Sequence, residues 1–212
     1  SLETSRGCVA SCTFCSETLF WKFRQRGGRR LIDEVKYQIN EYGVNRFWFI
    51  DSLVNGDLNK FYDFISGAVE QDLKILWNGY ARCDGRMDKE FIKLIKDSGC
   101  TALSFGVESG SPLVLLDMKK NISPIEIIKN LKHTHEVELY SHVNWIVGYS
   151  TETITDSYHS LILLFICREW IHNIAPGLGL GIGTVTDMYT NAYKYNIAET
   201  RLFNTWHSMD FK

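Results

Sequence analysis

The stretch RFWFIDSLVNGDLNKFYDFISGAVEQDLKILWNGYAR, residues 46–82, decides the fold class. It opens with an apolar run over 46–51, continues through an amphipathic stretch over 57–71 and ends in a second apolar run over 74–82. Short apolar runs bounded by polar residues predict strands, whereas apolar residues that recur every three or four positions predict a helix. Asp57 stands where a helix N-cap is expected. The stretch therefore predicts a β-α-β unit.

The same alternation continues on both sides of this unit, from a first strand at 2–7 to a last one at 173–183. Between them, strands are predicted over 100–108 and 140–149, and helices over 31–43, 88–99, 123–137 and 153–169. Six strand positions result. Because parallel strands joined by helices bury both faces, we expect RFWFI (46–50) and VNWIV (143–147) to be fully buried.

Six β/α units fall short of the eight that close a TIM barrel. The fold class is therefore α/β, and the simplest architecture is a partial (β/α)6 barrel of parallel strands over residues 1–182. A doubly wound open sheet is the alternative. Residues 183–212 lose the alternation, so we expect a C-terminal extension there.

Composition and charge narrow the function classes. The 212 residues carry a net charge of -2, which gives no electrostatic argument for nucleic acid or an anionic membrane as partner. No apolar run reaches the length of about 18 residues that a membrane-spanning helix needs, so we expect the apolar stretch 157–170 to be buried core. Six cysteines without a signal peptide favour a reducing cytoplasm. The basic run RQRGGRR (24–30) is either a solvated turn or a contact to an anionic cofactor or substrate.

Three cysteines, Cys8, Cys12 and Cys15, stand together in SRGCVASCTFCSE, directly after the first predicted strand. In parallel α/β folds, that end of a strand carries the chemistry. Zinc sites pair such cysteines with a second pair downstream, which is missing here. Three thiolates suit a 4Fe-4S cluster whose fourth iron binds a small molecule. A structural iron-sulfur or zinc module with a ligand from elsewhere stays open. The other cysteines are separately spaced and predict buried structural positions: Cys83, Cys100 and Cys167.

The motif CxxxCxxC, with Phe14 before its last cysteine, resembles the radical S-adenosylmethionine (SAM) superfamily, whose core is a partial six-unit β/α barrel. FIDSLVNG (49–56) stands where that superfamily has a glycine-rich segment. FGVESGSPLVLLDMKK (105–120) is similar to the GxESG segment of its cobalamin-binding branch and of methylthiotransferases. IVGYSTET (146–153) and GIGTVTD (181–187) resemble two further segments but lack their prolines.

The resemblance implies a radical SAM enzyme: Cys8, Cys12 and Cys15 hold a 4Fe-4S cluster, whose electron cleaves SAM to methionine and a 5'-deoxyadenosyl radical. That radical acts on a small-molecule substrate that the sequence does not identify. Bound SAM needs oxygen acceptors for its ammonium and ribose and a cation for its carboxylate. We expect these contacts from polar residues near strand ends, and from Phe14 beside the cluster: Asp51, Ser52, Asn78, Arg82, Glu108, Ser109 and Asn144.

The cobalamin-dependent branch is the favoured subclass, which implies methylation and cobalamin as a further cofactor. In that branch a cobalamin-binding domain usually precedes the barrel, and this sequence begins at the first strand. We therefore expect a fragment or a minimal core. The resemblance also implies a one-electron reductant protein, such as flavodoxin or ferredoxin, as partner. The alternatives are a truncated core without turnover and a methylthiotransferase.

Overall fold

The computed structural model of the chain describes residues 1–177 and 182–197. Its elements are β1 (Ser5–Arg6), α1 (Glu17–Phe20), β2 (Arg24–Gln25), α2 (Gly28–Tyr42), β3 (Arg46–Trp48), α3 (Leu58–Glu70), β4 (Leu76–Ala81), α4 (Lys89–Asp97), β5 (Cys100–Glu108), α5 (Pro112–Asp117), α6 (Pro124–Glu136), β6 (Tyr140–Ile146), α7 (Ile154–Cys167), β7 (Asn173–Gly177), α8 (Asp187–Thr190) and a 3-10 helix over Ala192–Tyr195.

The main sheet is parallel and has the strand order β3-β4-β5-β6-β7. Each strand therefore lies beside its neighbour in the chain, as in a barrel, whereas the order of a doubly wound sheet reverses at a switch point. The first strand position is a single parallel bridge between Leu2 and Phe49. Of the predicted last strand, residues 173–177 are extended, and residues 178–181 lie outside the described residues.

Helix ends follow the signals in the sequence. Asp57 caps α3 by accepting a hydrogen bond from the Lys60 amide at 3.2 Å, and Asp88 caps α4 by accepting one from the Phe91 amide at 2.8 Å. Helix α2 ends at Gly43, which takes the left-handed backbone conformation that glycine adopts readily. These helix boundaries confirm the predicted β/α alternation.

The core lies between the sheet and its helices. The rings of Phe49 and Trp77 stack there with centroids 4.7 Å apart, and Phe64 of α3 packs against both. Cys83, Cys100 and Cys167 are buried, as expected. The helix-facing side of each strand therefore supplies the apolar burial that stabilises the fold.

The prediction of strands buried on both faces was wrong. Trp48 is 58% exposed, Ile50 57% and Val147 67%, whereas Phe47 and Val143 are buried. Successive strand residues point to opposite faces, and the helices of residues 1–177 and 182–197 cover one face of this sheet. These residues leave the other face, the interior side of the partial barrel, uncovered.

The prediction that residues 157–170 form buried core was also wrong. Helix α7 buries Ser160, Leu163 and Cys167, but Leu161 and Phe165 are 60% and 67% exposed. A helix on the outside of a sheet buries one stripe only, so further apolar residues face outward. No helix within the described residues is long and apolar enough to cross a membrane.

Candidate cofactor-binding site

A pocket at the carboxyl edge of the sheet brings Cys8, Cys12 and Cys15 together. All three are free thiols and partly buried. The enclosed volume is about 150 Å³, which is below the range of about 300–1,000 Å³ for a whole small-molecule site, and the space is open to solvent on one side. The three cysteines therefore line an open site at the edge of the sheet.

The cysteine loop, residues 8–15, is held in place by Thr13, which is fully buried. Its amide donates to the Met118 carbonyl at 3.1 Å, and its carbonyl accepts from the Met188 amide at 3.0 Å. Its hydroxyl lies 2.8 Å from the Tyr149 hydroxyl. Three separate segments thus fix one residue between the second and third cysteines.

The entry to the loop is anchored by Asp51, which lies three residues after the end of β3. Its carboxylate accepts hydrogen bonds from the Thr4 amide at 2.7 Å, the Thr4 hydroxyl at 2.9 Å and the Ser5 amide. Burial raises the pKa of the Asp51 carboxyl, and the bonds from Ser5 and Thr4 oppose that rise. Asp51 therefore holds the segment that leads into Cys8, and it does not line the pocket.

Glu108, the last residue of β5, does line the pocket. Its carboxylate lies 3.2 Å from the Lys120 ammonium, and both side chains are only 12% exposed. Burial raises the pKa of the Glu108 carboxyl, and Lys120 opposes that rise. The φ angle of Glu108 is 69°, a left-handed conformation that costs a non-glycine residue about 1–2 kcal/mol. The strained backbone and the cation together present a buried carboxylate to the pocket.

Arg82 positions the segment that carries Lys120. Its guanidinium donates to the carbonyls of Lys120 at 2.9 Å and Asn121 at 2.7 Å. Its own amide donates to the buried Asn55 side chain at 3.0 Å. Arg82 lines the pocket, but two of its donor bonds are used inside the chain. Both bonds come from one guanidinium nitrogen, which leaves Arg82 as a second cation of the pocket beside Lys120.

Ser109 is buried in the turn between β5 and α5, where its hydroxyl lies 3.2 Å from that of Ser160 and accepts from the Ser111 amide at 3.1 Å. A Cβ on Gly110 would lie 2.7 Å from the Ser160 Cα, so only glycine fits against α7 at that point. The Ser-Gly pair of the GxESG segment thus packs this turn onto α7.

Of the sequence-predicted cofactor residues, the pocket gathers Phe14, Ser52, Arg82, Glu108 and Asn144. Asp51 and Ser109 have partners inside the chain, and Asn78 lies on the open face of the sheet, in register with Trp48 and Ala102. Sequence reasoning missed Thr13, Tyr149 and Lys120. Lys120 stands at the end of the quoted GxESG segment, but only the folded chain brings it to Glu108.

The donor set fits a cluster held by three thiolates. Within residues 1–177 and 182–197, no three His, Cys, Asp or Glu side chains converge on a single metal ion. A 4Fe-4S cluster does not need such convergence, because each thiolate binds a different iron. Burial raises the pKa of the Cys12 thiol to about 11 and also raises that of Cys15, so cationic iron would have to displace their protons.

Comparisons with known proteins agree with this geometry. The profile of the Radical SAM superfamily matches residues 2–161. The chain is 29% identical over 153 residues to an anaerobic magnesium-protoporphyrin IX monomethyl ester cyclase of Cereibacter sphaeroides, with 70% of this chain and 25% of the relative covered. It is 32% identical over 157 residues to a cytidylyl-2-hydroxyethylphosphonate methyltransferase of Streptomyces wedmorensis, with 69% and 28% covered.

A solved structure of similar fold is the radical SAM methyltransferase TsrM of Kitasatospora setae with cobalamin and a [4Fe-4S] cluster bound. The TM-score is 0.78 at 18% identity, and the match covers 95% of this chain and 40% of TsrM. The chain spans between 25% and 33% of the length of the first three curated relatives that it matches. The matched profile, with the three cysteines in one pocket of a partial β/α barrel, makes this chain a member of the radical SAM superfamily.

Proposed function

We propose that this chain forms the catalytic core of a radical SAM enzyme, in which Cys8, Cys12 and Cys15 hold a 4Fe-4S cluster. When bound and reduced, that cluster supplies the electron that cleaves the carbon-sulfur bond of SAM to methionine and a 5'-deoxyadenosyl radical. The observation that carries the proposal is the single pocket that contains all three thiols and the Glu108–Lys120 pair.

The Glu108–Lys120 pair suits the amino-acid end of SAM, which carries an ammonium and a carboxylate. The Glu108 carboxylate would accept from the ammonium, and the Lys120 ammonium would bind the carboxylate. The two protein groups already pair with each other at 3.2 Å, so the ligand would replace one ion pair with two. Charge-assisted hydrogen bonds of this kind are the strong ones in a partly buried site.

Apolar residues complete the pocket and keep water from its reacting end. Phe14 lies beside the last cysteine, and Leu53 and Ile122 also line the pocket. Exclusion of water strengthens the electrostatic contacts and protects a reactive radical. Thr13 and Tyr149 fix the loop that carries the thiols, so the cysteine positions are set before any ligand binds.

The substrate is a small molecule that reaches the site from the open face of the sheet. Tyr80 and Asn144 belong both to that face and to the pocket, so the two spaces are continuous. Methyl transfer with cobalamin is the overall reaction that we favour, since the Streptomyces wedmorensis relative is named a methyltransferase and the similar TsrM structure holds cobalamin. A partner protein that donates one electron at a time would reduce the cluster.

The test is anaerobic reconstitution with iron and sulfide, followed by dithionite reduction and assay of 5'-deoxyadenosine formed from SAM. We expect product from the wild type and none from Cys12→Ala. Cys100→Ala is the matched control, because Cys100 is buried away from the pocket, and it should retain activity. A colourless chain that copurifies with zinc would contradict the proposal, and a cluster that forms without SAM cleavage would indicate a core without turnover.

A further inference from the structure

A basic surface lies beside the cysteine loop and is not used by the proposed function. Residues 18–32 contain Lys22, Arg24, Arg26, Arg29 and Arg30 and no acidic residue, although the whole chain carries a net charge of -2. Arg24, Arg29 and Arg30 are exposed. A concentration of one charge on a chain of the opposite net sign is a local feature that a charged partner can recognise.

The centre of this surface is an exposed tryptophan flanked by two arginines. The Arg6 guanidinium lies 5.6 Å from the Trp21 ring centroid, and that of Arg24 lies 5.7 Å from it. Arg6 and Arg24 are also opposite each other in the antiparallel pair of β1 and β2. We call Arg6, Trp21 and Arg24 the Trp21 face. The β pairing and the two cation-π contacts hold it in a fixed arrangement.

The Trp21 face is attached directly to the cysteine loop. Gly7, the residue before Cys8, lies so close to the Trp21 carbonyl that a Cβ there would be 2.5 Å from that oxygen. From the other end of the loop, α1 begins two residues after Cys15 and ends at the exposed Phe20. The face is therefore continuous with both ends of the segment that holds the thiols.

We propose that the Trp21 face docks an acidic protein with a one-electron redox centre, which would reduce the cluster that Cys8, Cys12 and Cys15 would hold. The inference rests on the proposed function, which needs such a donor. In the transfer, the partner's centre loses one electron and the site gains one, and no bond or proton moves.

Two features of the face select this kind of partner. Arg6 is already ion-paired with Glu3 at 2.6 Å, so the charge that complements an acidic surface comes mainly from Arg24. This attraction accelerates encounter, with an effect that weakens as salt rises. Exposed Trp21 and Phe20 supply apolar contact area, and aromatic and arginine side chains are the types enriched at protein interfaces. An electron donor must dissociate after each transfer. Rapid, weak and salt-sensitive binding meets that requirement.

The experiment uses the 212-residue chain and, as probe, an acidic bacterial flavodoxin. Binding of oxidised flavodoxin to the cluster-free chain is measured by titration at low and high salt. We expect Arg24→Glu to weaken binding by about tenfold at low salt, Arg24→Lys to restore most of it, and high salt to reduce the difference. Arg168→Glu is the matched control: the Arg168 guanidinium lies 4.5 Å from the Phe165 ring centroid, on α7, and its replacement should leave binding unchanged.

A second measurement separates docking from chemistry. In the reconstituted chain, Arg24→Glu should lower flavodoxin-driven formation of 5'-deoxyadenosine about tenfold and leave dithionite-driven formation unchanged. If the wild type forms no 5'-deoxyadenosine with dithionite, that result counts against the proposed function. The binding titration would still test the docking surface, because it does not depend on turnover. Equal flavodoxin binding by wild type and Arg24→Glu would overturn the inference. So would tighter binding of a single-stranded RNA oligonucleotide than of flavodoxin, if Arg24→Glu abolished only the RNA binding.

Discussion

Two acidic residues, Asp51 after β3 and Glu108 at the end of β5, occupy equivalent places in the sequence pattern but differ in their surroundings. The Asp51 carboxylate accepts three hydrogen bonds from Thr4 and Ser5, so it faces the segment before Cys8 and not the pocket. Glu108 has Lys120 as its ion-pair partner and lines the pocket. The first carboxylate holds the entry to the cysteine loop, and the second is available to a ligand.

The comparison teaches that position at a strand end does not by itself assign a binding role. What separates the two residues is how much of each carboxylate's acceptor capacity is used inside the fold. The backbone of Glu108 is also held at a φ of 69°, a conformation that it shares with five other non-glycine residues, and such strain is one of the features that occur at functional sites.

The largest effect is expected at Asp51. Asp51→Ala would leave buried donors of Thr4 and Ser5 without partners, and each such donor costs about 1–3 kcal/mol. We expect the free energy of unfolding to fall by about 3 kcal/mol, measured by urea denaturation, and iron retention to fall with it. Asp51→Asn keeps one acceptor oxygen and should lose less. Unchanged stability in both variants would remove the distinction between the two acids.

Glu108 should behave in the opposite way. Glu108→Gln should change the free energy of unfolding by less than about 1 kcal/mol and weaken SAM binding to the reconstituted chain about tenfold, since a hydrogen bond to a charged group contributes about 1.5–3 kcal/mol. Equilibrium dialysis measures the binding. Glu108→Gly sharpens the test of ligand binding: it relieves the left-handed strain but leaves the nearly buried Lys120 ammonium without its partner, so the two effects on stability oppose each other while SAM binding weakens. Normal SAM affinity in both variants would show that this carboxylate is structural too.

A smaller effect is expected at Tyr149, which belongs to the scaffold side of the comparison. Tyr149→Phe removes the hydroxyl that lies 2.8 Å from the Thr13 hydroxyl, at a cost of about 1 kcal/mol. Release of iron to a chelator should accelerate, while SAM affinity of the intact cluster form stays unchanged. A weaker SAM affinity with normal iron retention would instead assign Tyr149 to the ligand.

The smallest effect concerns pH. Burial raises the pKa of the Cys12 thiol in the folded chain to about 11, against an ordinary value of 9.0. Between these two pH values the unfolded chain releases the Cys12 proton and the folded chain keeps it, so the free energy of unfolding of the cluster-free chain should fall as pH rises. The Lys120 cation acts against the rise in the pKa of Cys12, and Lys120→Met should move that pKa still higher. Alkylation of the Cys12 peptide, followed by mass spectrometry, should then be slower at each pH in the variant. Faster alkylation in Lys120→Met would contradict this arrangement of charges.

Much of the fold could be predicted from the sequence because it rests on local patterns. Apolar periodicity marks the helices and strands, and residues such as Asp57, Asp88 and Gly43 mark helix ends. What failed was the burial of β3 and α7, since the sequence of one segment does not tell which of its faces another layer covers.

The site was predictable only in part, for the same reason. The spacing of the three cysteines is a local pattern that the sequence shows directly, and Glu108 belongs to the GxESG segment. Lys120, Thr13 and Tyr149 act through contacts between residues that are far apart in the chain, 136 positions in the case of Thr13 and Tyr149. Such pairings follow from the packed barrel, and a single sequence carries no signal for them.

The measurement that tests the central claim most directly is the electron paramagnetic resonance spectrum of the reconstituted, reduced chain with and without SAM. If Cys8, Cys12 and Cys15 hold a 4Fe-4S cluster with one iron open to ligand, the reduced chain gives a cluster signal that changes when SAM is added, and Cys12→Ala gives none. A wild-type chain that binds no iron, or a cluster signal that SAM leaves unaltered, would contradict the account.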